Sequence, residues 1–311
     1  MDVGQLPDFK VLSEEYNYNE KTTQESISLK TSSSWTYCGP LLSLDPNHLP
    51  SSFKPWADAT INGSILHPLL SFLEFVHSFL STNNLSHYWI TIRADTGSHN
   101  FDIPRWHTDD LFFSPTPTHR HRRRSSALFP RIRAIAPRNK SEDLTHLLED
   151  FPSAQITTKT PNPTNWKLTT TLLGPGTLFI NEGTTPLARE IQRRIKHSVG
   201  AENPHICASV RCLGCATAAE SVRSRLAVEL GDHEVVQVQS GDYVFFRVGR
   251  DTGAVHSEPM SNGDRIFVNV VPGDEGDLKS LLARWGMEYP RAWCVGLPFQ
   301  MAGVHWSVGG I

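Results

Sequence analysis

The sequence predicts a β-rich fold, a barrel or sandwich buttressed by helices, and three observations carry that expectation. Short extended segments recur from His87 to Val271, turn signals separate them, and helical periodicity is confined to the front of the chain and to long crossovers. Composition agrees: 39% of the 311 residues are apolar and 21 more are Gly, which is globular and excludes a disordered, collagenous or coiled-coil chain. The length admits one large domain or two ordinary ones.

Residues 1–60 are polar and rich in Ser, Thr and Pro, and are expected to form a loosely structured lead-in to a main domain at 61–311. From Ser64 to Leu80 the apolar residues recur at three- and four-residue spacing, which predicts an amphipathic helix behind a Ser cap, with Pro68 in its first turn. His87 to Ala94 alternates and reads as a half-buried strand. Residues 115–140, with eight Arg or Lys and no acid, read as a solvated basic loop insert, and a short helix is expected at 141–149. Trp166 to Leu173 resumes strand character, Gly174 to Thr177 turns, and Leu178 to Ile180 extends again. Helices follow at Thr185–His197 and Thr217–Leu230, then strands at Glu234–Gln239, Tyr243–Val248 and Arg265–Val271. A helix at Asp277–Trp285 precedes a tail expected to be an irregular cover.

A net charge of -3 argues against a nucleic-acid partner or an anionic membrane surface for the chain as a whole. No apolar run reaches the roughly 18 residues that span a bilayer. Five cysteines and an N-terminus without a signal-peptide pattern predict a reducing, cytoplasmic setting. Neither a Gly-x-Ser-x-Gly elbow nor a P-loop nor a dinucleotide fingerprint is present, which removes Ser hydrolases and nucleotide-driven chemistry.

The 14 histidines are the compositional outlier, and His is the commonest metal ligand. In Arg105-Trp106-His107-Thr108-Asp109-Asp110, residues two apart on an extended chain share a face, so His107 and Asp109 present an imidazole and a carboxylate together. Gly253-Ala254-Val255-His256 supplies a second imidazole between two strands. Two His and one carboxylate with open positions suit non-haem Fe(II). Arg265, opening the next strand, suits bidentate pairing with the far carboxylate of a dicarboxylate.

This order of motifs resembles the Fe(II)/2-oxoglutarate-dependent oxygenase superfamily, over about Tyr88 to Val271, and most closely a little-characterised branch of it. The resemblance implies a double-stranded β-helix core of the jelly-roll or cupin-like kind. It further implies His107, Asp109 and His256 as iron ligands, Arg265 as the anchor of 2-oxoglutarate, and O2 and a small-molecule substrate as partners. The reaction expected is oxidation of a C–H bond of an amino acid or specialised metabolite, with succinate and CO2 as co-products. Phe267 stands where many relatives carry a hydroxyl, so a second anchor is sought among Thr169, Thr171 and Tyr243. Lys167 is a rival anchor, because the JmjC branch uses a Lys on a comparable strand; its ordinary reading is an exposed strand residue. The alternatives are a non-catalytic metal-binding barrel and a cupin-type enzyme independent of 2-oxoglutarate. His205, Cys207, Cys212 and Cys215 could form a structural zinc site, although reduced thiols are the default for one Cys-x-x-Cys.

Overall fold

Apolar alternation decides which face of each strand is buried, and a seven-stranded antiparallel sheet results. The computed structural model describes residues 7–13, 26–97, 103–113, 163–202, 204, 212–260 and 263–297. The expected basic insert at 115–140 and the helix at 141–149 lie outside them. In chain order the elements are β1 (Phe9–Leu12), β2 (Ser28–Leu29), β3 (Ser33–Pro40), α1 (Phe53–Thr60), β4 (Ile61–Asn62), α2 (Leu66–Thr82) and β5 (His87–Asp95). There follow β6 (Trp166–Leu173), β7 (Leu178–Ile180), α3 (Thr185–Glu202), α4 (Leu213–Glu229), β8 (Val235–Gln237) and β9 (Tyr243–Arg247). The last described elements are β10 (His256–Ser257), β11 (Arg265–Gly273), α5 (Glu275–Arg284) and β12 (Arg291–Val295).

The large sheet runs β1-β9-β6-β11-β5-β3-β12, a second sheet runs β10-β7-β8, and β2 pairs with β4. On one face of the large sheet Ile90, Ile92, Leu168, Phe245, Val268 and Val270 pack against α1 and α2. Helix α2 meets them with Leu69, Phe72, Leu73, Val76, Phe79 and Leu80, the three- and four-residue spacing of a single apolar stripe. Ile65 occupies its cap position, and the Ser64 hydroxyl accepts from Leu66 N at 3.3 Å, one residue away from the expected cap geometry. On the opposite face Val244 and Phe246 of β9 join Phe179 of β7 and Ala254 in a second cluster. That cluster ties the large sheet to β10-β7-β8.

Two stretches differ from expectation. Within residues 1–60, β3 is an interior strand of the large sheet, paired with β5 and β12. Its Ser and Thr residues hide it in sequence, but Ser33 answers the polar need of a buried indole, accepting from Trp56 Nε1 at 2.9 Å, while the indole of Trp35 on β3 donates to Ser52 Oγ, just before α1, at 3.0 Å. The tail beyond α5 likewise holds β12, whose strand character comes from pairing with β3 and from Trp293 meeting Trp89 edge-on at 5.2 Å. Helix α5 begins two residues earlier than expected because Asp274 caps it, accepting from Asp277 N at 2.7 Å. The Gly174–Thr177 turn needs its glycines: Gly174 has φ +80, and a Cβ on Gly176 would stand 2.2 Å from Val238 O. No helix among the described residues is long and apolar enough to cross a membrane.

Candidate metal centre

The segment 103–113 runs beside β10, and its backbone fixes the site before any side chain does. His107 and His256 exchange both main-chain hydrogen bonds, each 2.9 Å, and Asp109 O accepts from Gly249 N at 2.8 Å. Side chains add to this seam. Arg105 N donates to Ser257 Oγ at 2.7 Å, and Gln192 of α3 donates to Thr108 Oγ1 at 2.9 Å. Alternation then sends Trp106 and Val255 into the cluster under α3 and α4, and turns His107, Asp109 and His256 together.

The ligand atoms of these three residues lie within 4.8 Å of one another. His107 Nε2 and His256 Nε2 are each 3.8 Å from an oxygen of Asp109, and the two rings are 4.3 Å apart. Each imidazole places Nδ1 against a main-chain carbonyl, Arg105 O at 2.8 Å and Ala254 O at 3.0 Å. With Nδ1–H donating, Nε2 carries the lone pair, the tautomer a metal ligand needs. The triad resembles an HxD…H facial triad and could hold a metal ion. It is the one such group of His, Cys, Asp or Glu among the described residues; His205 and Cys207 of the expected zinc set lie outside them. No family model matches the chain, and no curated protein or solved structure matches it.

Burial alone would raise the Asp109 pKa, but Lys167, His256 and His107 outweigh it and hold the carboxyl at about 2. Burial, reinforced by His107, lowers that of His256, with Asp109 only partly opposing. A histidine whose folded pKa lies below its unfolded value takes up a proton on unfolding, so it costs stability as pH falls below 6.5. Asp109 acts later: its stabilisation is present above 3.8 and is lost as pH falls towards 2. The metal-free protein should therefore be less stable to urea at pH 5 than at pH 7.5, by up to roughly 1.4 kcal/mol per pH unit for one proton. His256→Gln should weaken the dependence and leave the part contributed by His77, whose pKa burial also lowers, and equal stability of the native chain at both pH values would contradict the assignment.

Sequence reasoning missed the part Lys167 plays. Far from being exposed, its ammonium donates to Asp109 Oδ2 at 3.0 Å, with the rings of Phe246 and Phe112 at 5.8 and 6.0 Å. Strand β6 pairs Lys167 with Phe246, whose ring is 4.6 Å from that of His256, and that register signal would have found it. Lys167 neutralises the carboxylate and opposes a cation bound there. Lys167→Met should destabilise the metal-free protein and tighten Zn(II) binding by about 10-fold or more. Melting with and without Zn(II) reads both effects, and an unchanged metal-induced shift would count against this role.

Arg265 stands at the start of β11, and no hydrogen bond or ion pair among the described residues joins it to the triad. Its Nε donates to Pro175 O at 2.9 Å, an Nη2 lies 3.5 Å from Thr177 Oγ1, and the guanidinium covers Phe267 at 4.6 Å. Burial lowers its pKa to about 10, with Glu258 opposing, so it stays cationic at neutral pH. Of the sought second anchors, Thr169 and Thr171 share the strand face of Lys167. Tyr243 does not turn towards the triad: its ring packs on Phe72 and Phe75 of α2, on the other face of the sheet from Phe246.

Proposed function

We propose that the protein is an Fe(II)/2-oxoglutarate-dependent oxygenase on a double-stranded β-helix. The observation that carries this is the convergence of His107, Asp109 and His256 with both imidazoles turned Nε2-first. The strand order supports the jelly-roll reading. Going along the chain, β5 lies in the large sheet, His107 makes a single antiparallel bridge to β10 at the edge of the small one, β6 lies in the large, β7 and β8 in the small, β9 in the large, β10 in the small and β11 in the large.

His107, Asp109 and His256 would hold the ion. Bound there with 2-oxoglutarate and O2, iron supplies oxidation of a substrate C–H bond, with succinate and CO2 as co-products. Arg265 would bind the far carboxylate of the co-substrate. Thr177, which its guanidinium approaches, lies two residues before Phe179, the register partner of His256. Two residues of strand span roughly 7 Å, a reach suited to a five-carbon dicarboxylate. Lys167 supports a second reading as anchor, since it is nearly buried and faces the same centre. Its contact with Asp109, however, puts it at the ligands and not at the far end of a dicarboxylate.

Fe(II)-dependent succinate release from 2-oxoglutarate, screened over amino acids and small metabolites, tests the proposal. Arg265→Ala should raise the 2-oxoglutarate concentration needed for half-maximal release by 10-fold or more, about 1.4 kcal/mol, and leave Zn(II) affinity unchanged. Iron binding without any 2-oxoglutarate dependence would favour the cupin-type alternative, and metal binding without turnover the silent barrel.

A further inference from the structure

Helix α3 reaches both chain segments that carry the triad. Arg189 and Gln192 stand three residues apart on it and so share a face. Gln192 Nε2 donates to Thr108 Oγ1 at 2.9 Å, and Thr108 separates His107 from Asp109. Arg189 meets the other segment: its Nη1 donates to Thr252 O and to Gly253 O, each at 3.1 Å, in the turn that leads to His256. The same nitrogen donates to Asp8 Oδ2 at 2.8 Å. Both side chains of this ion pair are largely buried, that of Arg189 13% and that of Asp8 22% exposed.

The turn at 249–254 is where the two ligand segments are joined. Gly249 N donates to Asp109 O at 2.8 Å, Gly253 N to Gly249 O at 2.7 Å, and Ala254 N to Arg247 O at 3.0 Å. Ala254 O in turn accepts from His256 Nδ1 at 3.0 Å, so the turn sets the orientation of that ring. The turn is also tight, since a Cβ on Gly253 would stand 2.5 Å from Gly249 O. Asp8 is fixed from a second side, because Arg247 N donates to its main-chain carbonyl at 2.8 Å. Three oxygens, one of them a carboxylate, therefore converge on the single nitrogen Nη1 of Arg189. Without that cation they would repel one another, and the turn would move away from Asp8.

We propose that Arg189 is a positioning residue of the metal centre: it clasps the 249–254 turn to Asp8, and the turn so held sets the His256 ring and the Asp109 main chain for the metal. The proposal rests on the reading of the triad as a metal centre and adds a residue outside the triad on which metal binding depends. Groups that orient metal ligands are worth about 10- to 100-fold in affinity. Because one nitrogen makes all three contacts, the three donors of a lysine ammonium can take its place. A neutral amide cannot, since it leaves the Asp8 carboxylate without a counter-charge.

The test is titration of the full chain with Zn(II), together with the visible spectrum of the Co(II)-loaded protein, whose bands report ligand geometry. Arg189→Gln should weaken Zn(II) binding by about 10-fold or more and alter the Co(II) bands. Arg189→Lys should return both to native. Arg193→Gln removes an exposed pair, 3.3 Å in the native chain, with Asp251 of the same turn, and should change neither. A residue that only supported the fold would lower stability to urea and leave the folded fraction with native affinity and native bands. That result for Arg189→Gln, failure of Arg189→Lys to restore them, or an equal loss in Arg193→Gln would overturn the proposal. Should Arg189→Gln not fold, Asp8→Asn decides by the same two measurements, because it leaves the guanidinium on the carbonyls and removes its ionic partner: weaker Zn(II) binding with altered bands is expected, and native values would overturn the proposal. A native chain that binds no Zn(II) would sink the oxygenase reading and this proposal together, whereas equal Zn(II) binding by the native chain and Arg189→Gln overturns this proposal alone.

Discussion

His256→Ala should abolish tight metal binding and leave the fold in place. The main chain of His256 pairs with His107 in both directions at 2.9 Å, independently of the side chain. The imidazole itself is packed against Phe246 and Phe179, with ring separations of 4.6 and 5.8 Å, so truncation leaves a small void between rigid rings. What remains at the centre is one imidazole, nearly half exposed, and one carboxylate held by Lys167. Partners that merely orient metal ligands are worth 10- to 100-fold in affinity, so loss of a ligand should cost about 100-fold or more. Titration with Co(II) or Zn(II) measures it. Native affinity in the variant would mean that the metal, if bound, sits elsewhere.

Phe245→Ala should destabilise the protein by about 3–5 kcal/mol, the usual range for a buried aromatic truncated in a core. Phe245 is fully buried, and its ring meets Trp166, Phe79 and Phe75 at 6.2, 5.8 and 6.3 Å. It joins the large sheet to α2, on the face opposite Phe246 and the triad. The variant should therefore lose stability to urea while its folded fraction binds Zn(II) as tightly as the native chain. A loss below about 1 kcal/mol would show that the α2 layer is not the principal core.

The contrast between these two positions explains how far the sequence could be read. Where one face of a strand is apolar and the other polar, as in β5 with Tyr88, Ile90, Ile92 and Ala94 buried, alternation alone locates the strand. The same holds for the spacing of Leu69, Phe72, Leu73 and Val76 on α2. His107 and Asp109 were legible because an extended chain necessarily puts residues two apart on one side, and His256 because its Gly-rich approach and the strand after it form a recognisable frame. Strand β3 was not legible, since Ser33 and Thr36 are buried for reasons that lie on other elements: Ser33 Oγ lies 2.7 Å from Thr60 Oγ1, and Thr36 Oγ1 lies 3.2 Å from Thr91 Oγ1. Lys167 was hidden in the same way. Only the register of β6 against β9 brings it to Asp109, and register is a property of pairs of strands.

The most direct test of the proposed metal centre and co-substrate is anaerobic titration of the full chain with Fe(II) in the presence of 2-oxoglutarate, followed by visible absorption. The expected result is a metal-to-ligand charge-transfer band that saturates at one Fe(II) per chain, requires 2-oxoglutarate and is absent from His256→Ala. No band, together with no binding of 2-oxoglutarate to the iron-loaded protein, would contradict it.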